Sequence, residues 1–296
     1  MGVELVTWER QPQLRRPVLV AAFEGWSDAG DAASSAAKYL AAAWNARPFA
    51  EIEGEEFFDF TSTRPHVRLV DGARHIDWPT NQFTAASIPG GRRDIVFLHG
   101  VEPQLKWRTF CVAVMDVAKK VDADMAITLG ALLTDTPHSR PVRITGTTAD
   151  KELSNRLGFM PSRYEGPTGI TGVLHDAFTR GSIPSASLWA SVPHYVSQVT
   201  SPKATLALVE RTAALLEAPV EVTDLQIAAA AYERSVDERV QDDPEAAAYV
   251  RQLEEAAEAD EVEDEEDTGA GLMEPPELPS RDALAAEVER FLRDQD

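Results

Sequence analysis

Short apolar runs bounded by Pro, Gly or charged residues recur along the chain. They read as buried strands at residues 18–23, 49–53, 95–99, 125–129 and 186–192, with 143–147 a further strand candidate and 3–8 an edge strand. Helical periodicity fills the gaps at 32–43, 105–121, 151–157, 168–180 and 203–216, the last opened by Pro202. Strands alternating with helices imply right-handed crossovers, and so an α/β fold whose mostly parallel sheet is covered on both faces. One stretch breaks this rhythm: the alternating segments 67–70 and 74–78, joined at Asp71-Gly72, spell a β-hairpin that should lie outside the parallel core.

Beyond Pro219 only helical signals remain. Thr223-Asp224 caps a helix reaching Val240, and Asp243-Pro244 starts another that reaches about Glu255, so the two should form a helical hairpin. Residues 254–267 then hold ten acids and no Lys or Arg, which cannot bury apolar surface and predict a flexible linker over 256–279. A last amphipathic helix over 280–293 carries Leu284, Val288, Phe291 and Leu292 on one face, a face that should dock on its own chain or another. The expected organisation is a core domain at 1–218, a helical hairpin at 219–255, the linker, and a terminal helix at 280–296.

The turn after the first buried strand is where chemistry is sought first, because ligands of open α/β sheets bind at the carboxyl ends of strands. It reads Phe23-Glu24-Gly25-Trp26-Ser27-Asp28-Ala29-Gly30-Asp31-Ala32-Ala33, with Asp28 as helix N-cap and Asp31 adding favourable negative charge to the first turn. Gly25-x4-Gly30 has the glycine spacing of a phosphate-binding loop, but Asp31 stands where the phosphate-binding Lys belongs and Ala32 where the metal-binding hydroxyl belongs. Ser27 lacks the second glycine of a nucleophile elbow, and no Gly-x-Gly-x-x-Gly follows any strand.

Composition narrows the partners. A net charge of −21 repels nucleic acid and anionic membranes. No apolar run approaches the length of a membrane span and no leader pattern opens the chain, so a cytoplasmic protein is expected. Cys111 is the single cysteine; it rules out an intrachain disulfide and reads as an inert core residue.

Polar residues collect just after the strands: Glu24 and Asp28, His99 and Glu102, Asp135 and His138, His194 and Tyr195. In a parallel sheet these ends lie along one edge. With Trp26, Arg64, Arg108, Arg140, Arg163 and Glu165 they compose a candidate pocket fit for acid/base work or anion capture. Glu24, Asp28, His138, Arg140, Glu165 and His194 are expected to line one cavity. The alternative is that these arginines and carboxylates pair with each other or cap helices. No His-x-x-x-His or His-x-His spacing occurs, so neither a metal nor another cofactor is expected.

The turn motif also resembles the opening signature of the proteasome assembly chaperone 2 family in its bacterial branch. Four further stretches carry the resemblance: Gly100-Val101-Glu102-Pro103 with Trp107-Arg108-Thr109-Phe110; Leu129-Gly130-Ala131-Leu132-Leu133 with Pro137-His138-Ser139-Arg140-Pro141; Ser162 through Gly169; and Ala190-Ser191-Val192-Pro193-His194-Tyr195. The resemblance implies a three-layer α/β/α domain of phosphorylase/hydrolase type, a C-terminal helical segment, and self-association, expected as a trimer. Eukaryotic members hold proteasome α-subunits during ring assembly, archaeal ones bind proteasome particles, and some descriptions call bacterial members ligase-like. Archaeal relatives can end in a hydrophobic-Tyr-any tripeptide, whereas Asp294-Gln295-Asp296 offers neither apolar anchor nor phenol, so any proteasome contact is expected through helix 280–293 instead. Two functions are therefore carried forward. One is a protein-binding scaffold or assembly factor without chemistry; the other is an enzyme or small-molecule binder using the strand-end cleft.

Overall fold

The computed structural model describes residues 5–88, 90–159 and 164–266. Its strands are β1 (Val6–Trp8), β2 (Val18–Glu24), β3 (Arg47–Ile52), β4 (His66–Val70), β5 (Ala73–Asp77), β6 (Asn81–Ser87), β7 (Asp94–Val101), β8 (Met125–Thr134), β9 (Ile144–Thr147) and β10 (Ser185–Pro193). Its helices are α1 (Ala32–Ala43), α2 (Trp107–Lys120), α3 (Lys151–Leu157), α4 (Ile170–Arg180), α5 (Pro202–Leu215), α6 (Thr223–Asp242) and α7 (Pro244–Glu266).

Eight strands form one sheet in the order β1-β3-β6-β7-β2-β8-β10-β9. The central four, β7, β2, β8 and β10, run parallel, so their carboxyl ends share an edge. β1, β3 and β6 flank them as antiparallel neighbours on one side, and β9 does so on the other. β2 alternates between two cores: Val18, Val20 and Ala22 face the layer of α1 and α5, while Leu19, Ala21 and Phe23 face α2 and α4. This α/β sheet between two helical layers is the expected fold, mixed at its flanks.

Most elements start and stop where their residues dictate. Ser201 accepts the Ala204 amide ahead of Pro202, and Asp243 accepts the Glu245 amide ahead of α7. A 3₁₀ turn (Ala29–Asp31) separates Asp28 from α1, so the helix does not follow the motif at once. At α6 the N-cap residue is Val222, and the carboxylate of the preceding Glu221 takes the Val222 and Thr223 amides, in place of a Thr223-Asp224 cap. β4 and β5 form the expected hairpin, paired only with each other.

Three features depart from the sequence reading. β6 has no strand signal of its own, since Asn81-Gln82-Phe83-Thr84-Ala85-Ala86-Ser87 holds a single β-branched residue; it is a strand because it lies between β3 and β7 and bonds both. β8 runs past the apolar segment to Thr134 because β10 pairs with it that far. α7 continues through the acidic run to Glu266, because Glu and Ala are strong helix formers and two of its acids, Glu254 and Glu258, meet Ser139 and Arg140. Residues 267–296, which include most of the expected linker and all of the terminal helix, lie outside the described residues.

The basic cluster near the amino terminus fastens the sheet. Arg15 donates its guanidinium and its backbone N–H to Asp94, and the Asp94 amide returns a bond to the Arg15 carbonyl, 2.9 Å away, which locks the amino ends of β2 and β7. Burial alone would raise the Asp94 carboxyl, but the Arg15 guanidinium and N–H outweigh it and hold the group below the usual carboxylate range. A depressed native pKa gives stability that is present above the unfolded value, about 4, and is lost as pH falls through the native one. Asp94→Asn is therefore expected to cost about 1–3 kcal/mol at pH 7 in urea unfolding, with the gap to the native chain closing below about pH 4. An equal gap at pH 7 and pH 3 would contradict this account of the clamp.

Candidate functional site

The β2–α1 turn is held by its own backbone and by one carboxylate. Gly25 and Gly30 have φ of +134° and +59°, conformations that side chains rarely adopt, and a Cβ on Gly30 would meet Ser201 Cβ at 2.9 Å. The glycine spacing is thus a demand of the turn and not of a phosphate. Asp28 is buried, and its Oδ1 accepts the Ala33 amide at 2.7 Å and the Ser34 amide at 3.0 Å, capping α1 across the 3₁₀ turn. Burial pushes its pKa up, while the bonds from Ser34 and Ala33 oppose the rise. The neighbouring Ser27 carbonyl accepts the Ala131 amide of β8 at 2.8 Å. The Ser27 hydroxyl and Asp28 Oδ2 are buried without a hydrogen-bond partner among the described residues.

Glu102, just past β7, ties this turn to α4. Its Oε2 accepts the Trp26 amide at 3.2 Å and its Oε1 the Ile170 amide, the first of α4, at 2.8 Å. A carboxylate on a helix amino terminus satisfies free amides and meets the positive end of the dipole. The protein's own side chain thus sits where an exogenous anion would bind. Glu24 pairs with Lys38 of α1. His99 lies beside that pair; its burial, and then Lys38, lower the imidazole pKa and favour the neutral ring. Trp26, Arg64, Arg108 and Glu165 are exposed, and Arg163 lies outside the described residues.

The other half of the edge is bound by the C-terminal helices. His138 is buried; its Nδ1 lies 2.7 Å from the Tyr195 hydroxyl and its Nε2 2.9 Å from Asp237 Oδ1 of α6. A neutral imidazole satisfies every contact if Nε2–H donates to Asp237 and Nδ1 accepts from Tyr195, whose oxygen in turn accepts the His138 amide at 2.7 Å. Lys203 of α5 bridges the His138 carbonyl and Glu233 of α6. From α7, Glu254 accepts from Ser139, Glu258 pairs with Arg140, and the Tyr249 ring packs on His194 and Tyr195 at 5.5 and 6.0 Å. His194 also meets Asp135 at 2.9 Å. Burial raises the Tyr195 phenol well above its ordinary value, so the hydroxyl stays protonated.

Among the described residues, the six expected to line one cavity do not all meet at the cavity found on this edge, which has only His138 and Arg140 of them in its wall. The candidate residues divide into the Asp28–Glu102 anchor, the Glu24–Lys38–His99 cluster and the His138–Tyr195–Asp237 network. The cavity at this edge, of about 10 Å³, is lined by His138, Arg140, Pro193, Ser201, Lys203 and Tyr232 and holds about one water. A wider hollow of about 410 Å³ between Tyr39, Trp44, Pro219 and Glu221 lies at the far end of α1, away from the strand ends. Among the described residues no cluster of His, Cys, Asp or Glu is arranged to hold a metal, and no helix is long and apolar enough to cross a membrane. Cys111 is buried, which with nearby Asp176 pushes its thiol up to about 11. Sequence reasoning missed the partners Lys203, Glu233, Asp237, Tyr249, Glu254 and Glu258. Their signal was available in the acids at i and i+4, Glu233 with Asp237 and Glu254 with Glu258, each pair on one helix face.

A model of the PAC2 family matches residues 22–240. A PAC2 family protein from Streptomyces avermitilis is 43% identical, with a TM-score of 0.75 over 79% of this chain and 99% of that one. A proteasome-assembly chaperone homologue from Mycobacterium tuberculosis is 45% identical, with a TM-score of 0.72 over 79% and 99%. PbaB, a proteasome activator from Pyrococcus furiosus, shares the fold at 16% identity, with a TM-score of 0.65 over 79% and 97%. None of the curated proteins matches the chain.

Two substitutions test these assignments. Glu102→Ala leaves the Trp26 and Ile170 amides without their acceptor and should cost about 1–2 kcal/mol in urea unfolding, with Glu102→Gln costing less. No measurable cost would show that water replaces the carboxylate. His138→Ala removes both ring bonds and should raise amide exchange in α6 and α7 while the central strands keep their protection. Uniformly faster exchange would mean that the network supports the whole domain.

Proposed function

Because the chain belongs to the PAC2 family, we propose that it is a protein-binding scaffold or assembly factor. In this reading it works in the cytoplasm as a homotrimer and takes proteasome subunits as partners. The observation that carries the proposal is the state of the strand edge. Asp28 and Glu102 cap α1 and α4, His138 and Arg140 dock α6 and α7, and the cavity at this edge admits about one water. Apolar side chains, by contrast, stand in solvent: Trp26, Leu69, Trp78, Val112 and Ile227 are exposed. A surface of this kind suits protein contact better than turnover of a small molecule. The M. tuberculosis homologue, described as a proteasome-assembly chaperone homologue, supports the partner class.

A second reading rests on the His138 network, whose order of carboxylate, imidazole and hydroxyl is that of a proton relay. It would require α6 to lift, and the raised Tyr195 pKa disfavours the phenolate that a nucleophile needs.

Light scattering at micromolar concentration should give three times the 32.4 kDa chain mass. Purified proteasome α-subunits should retain the full chain and release a chain ending at residue 279, which lacks the amphipathic segment 280–293. A monomeric mass together with no retention of the full chain would overturn the scaffold reading in favour of the small-molecule one.

A further inference from the structure

The β4–β5 hairpin is the one regular element of the described residues that no core of its own chain covers. All of β4 and nearly all of β5 are exposed, and the two strands bond only to each other. Their register pairs Val67 with Ile76 and Leu69 with Arg74. Side chains alternate across a strand, so Val67, Leu69, Arg74 and Ile76 share one face, and Trp78 continues it. Leu69 is 73% exposed, Trp78 55%, Val67 51% and Ile76 49%. The opposite face is polar, with Arg68 paired to Asp77. At the root, Trp78 packs on Phe60 with ring centroids 5.0 Å apart, which holds the arm to the body without covering its face.

Two physical facts say what covers it. A lone two-stranded hairpin is marginal in water, so an amphipathic one needs a surface against its apolar face. Charge selects the surface. The hairpin itself is neutral, Arg68 and Arg74 standing against Asp71 and Asp77, but its apolar face carries a single charge, Arg74, which is positive on a chain whose total is −21. A face-to-face contact of two such hairpins would bring two Arg74 side chains into one contact with no carboxylate on either face. Contact with the acidic body of another copy instead gives the apolar face cover and Arg74 a counter-charge. Such a contact joins different surfaces of the two chains, and repeated around an axis it closes into a ring.

We infer that the β4–β5 hairpin is the arm by which one copy of this chain docks on the acidic surface of a second. The inference rests on the self-association proposed above and names its interface. The test compares the full chain with the double variant Leu69→Asp/Ile76→Asp and with Arg74→Glu, by sedimentation and light scattering across micromolar concentrations. Circular dichroism and the thermal midpoint check the fold, since all three positions are exposed. The expected result is an oligomeric native chain, a monomeric double variant with an unchanged core transition, and assembly weakened about tenfold by Arg74→Glu. An oligomer that keeps its mass in all variants overturns the hairpin assignment and leaves self-association standing. A native chain that is itself monomeric overturns both.

Discussion

The Asp28 carboxylate is the fastening on which the carboxyl edge of the sheet depends. From a buried position it holds two amides at the start of α1, while the adjacent Ser27 carbonyl holds β8 through Ala131. Glu102 repeats the device from the β7 side, joining the Trp26 amide of the same turn to the first amide of α4. Two side chains thereby fix where β2, β7, β8, α1 and α4 meet. Both work through free amides at helix starts, which favour negative charge. The Trp26, Ala33, Ser34 and Ile170 amides that could meet an anion are thus satisfied from within, and Asp31 adds like charge beside a turn with the glycine spacing of a phosphate-binding loop.

The second half of the edge is closed by a different means. α6 turns a narrow stripe of Leu225, Ala229, Tyr232 and Val236 inward, and α7 buries Val250 and half-buries Tyr249. These apolar contacts alone would leave the helices free to slide. Register comes from polar contacts: His138 to Asp237, Lys203 to Glu233, Arg140 to Glu258 and the ring cluster around Tyr195. The loop Pro137-His138-Ser139-Arg140 is thus a docking surface for the chain's own C-terminal helices, and the edge that opens to ligands in other α/β sheets is roofed here.

Charge is distributed unevenly. Between residues 223 and 266 sixteen acids face three arginines, so α6 and α7 carry most of the net negative charge. The β4–β5 hairpin is neutral by comparison, with Arg68 and Arg74 against Asp71 and Asp77. A chain of this kind repels its copies at most orientations and accepts few, which favours specific association over indiscriminate clustering.

Local chemistry was legible in the sequence. Apolar runs marked the four parallel strands, Asp71-Gly72 marked the hairpin, Pro202 and Asp243-Pro244 marked helix starts, and five quoted stretches marked the family, because each of these signals acts between residues close in the chain. Because β7, β2, β8 and β10 are parallel, the polar residues that follow them come out at one edge of the sheet. What they do there was not legible. β6 is a strand only because β3 and β7 leave an open edge on either side of it, and β8 reaches Thr134 only because β10 accompanies it. His138 finds its partner Asp237 ninety-nine residues away, and Glu102 finds the Ile170 amide sixty-eight residues away. A carboxylate in a sequence can equally be a catalyst, an anion's rival or a helix cap. The choice is made by which amide or imidazole the folded chain brings within 3 Å, and only the tertiary structure decides that.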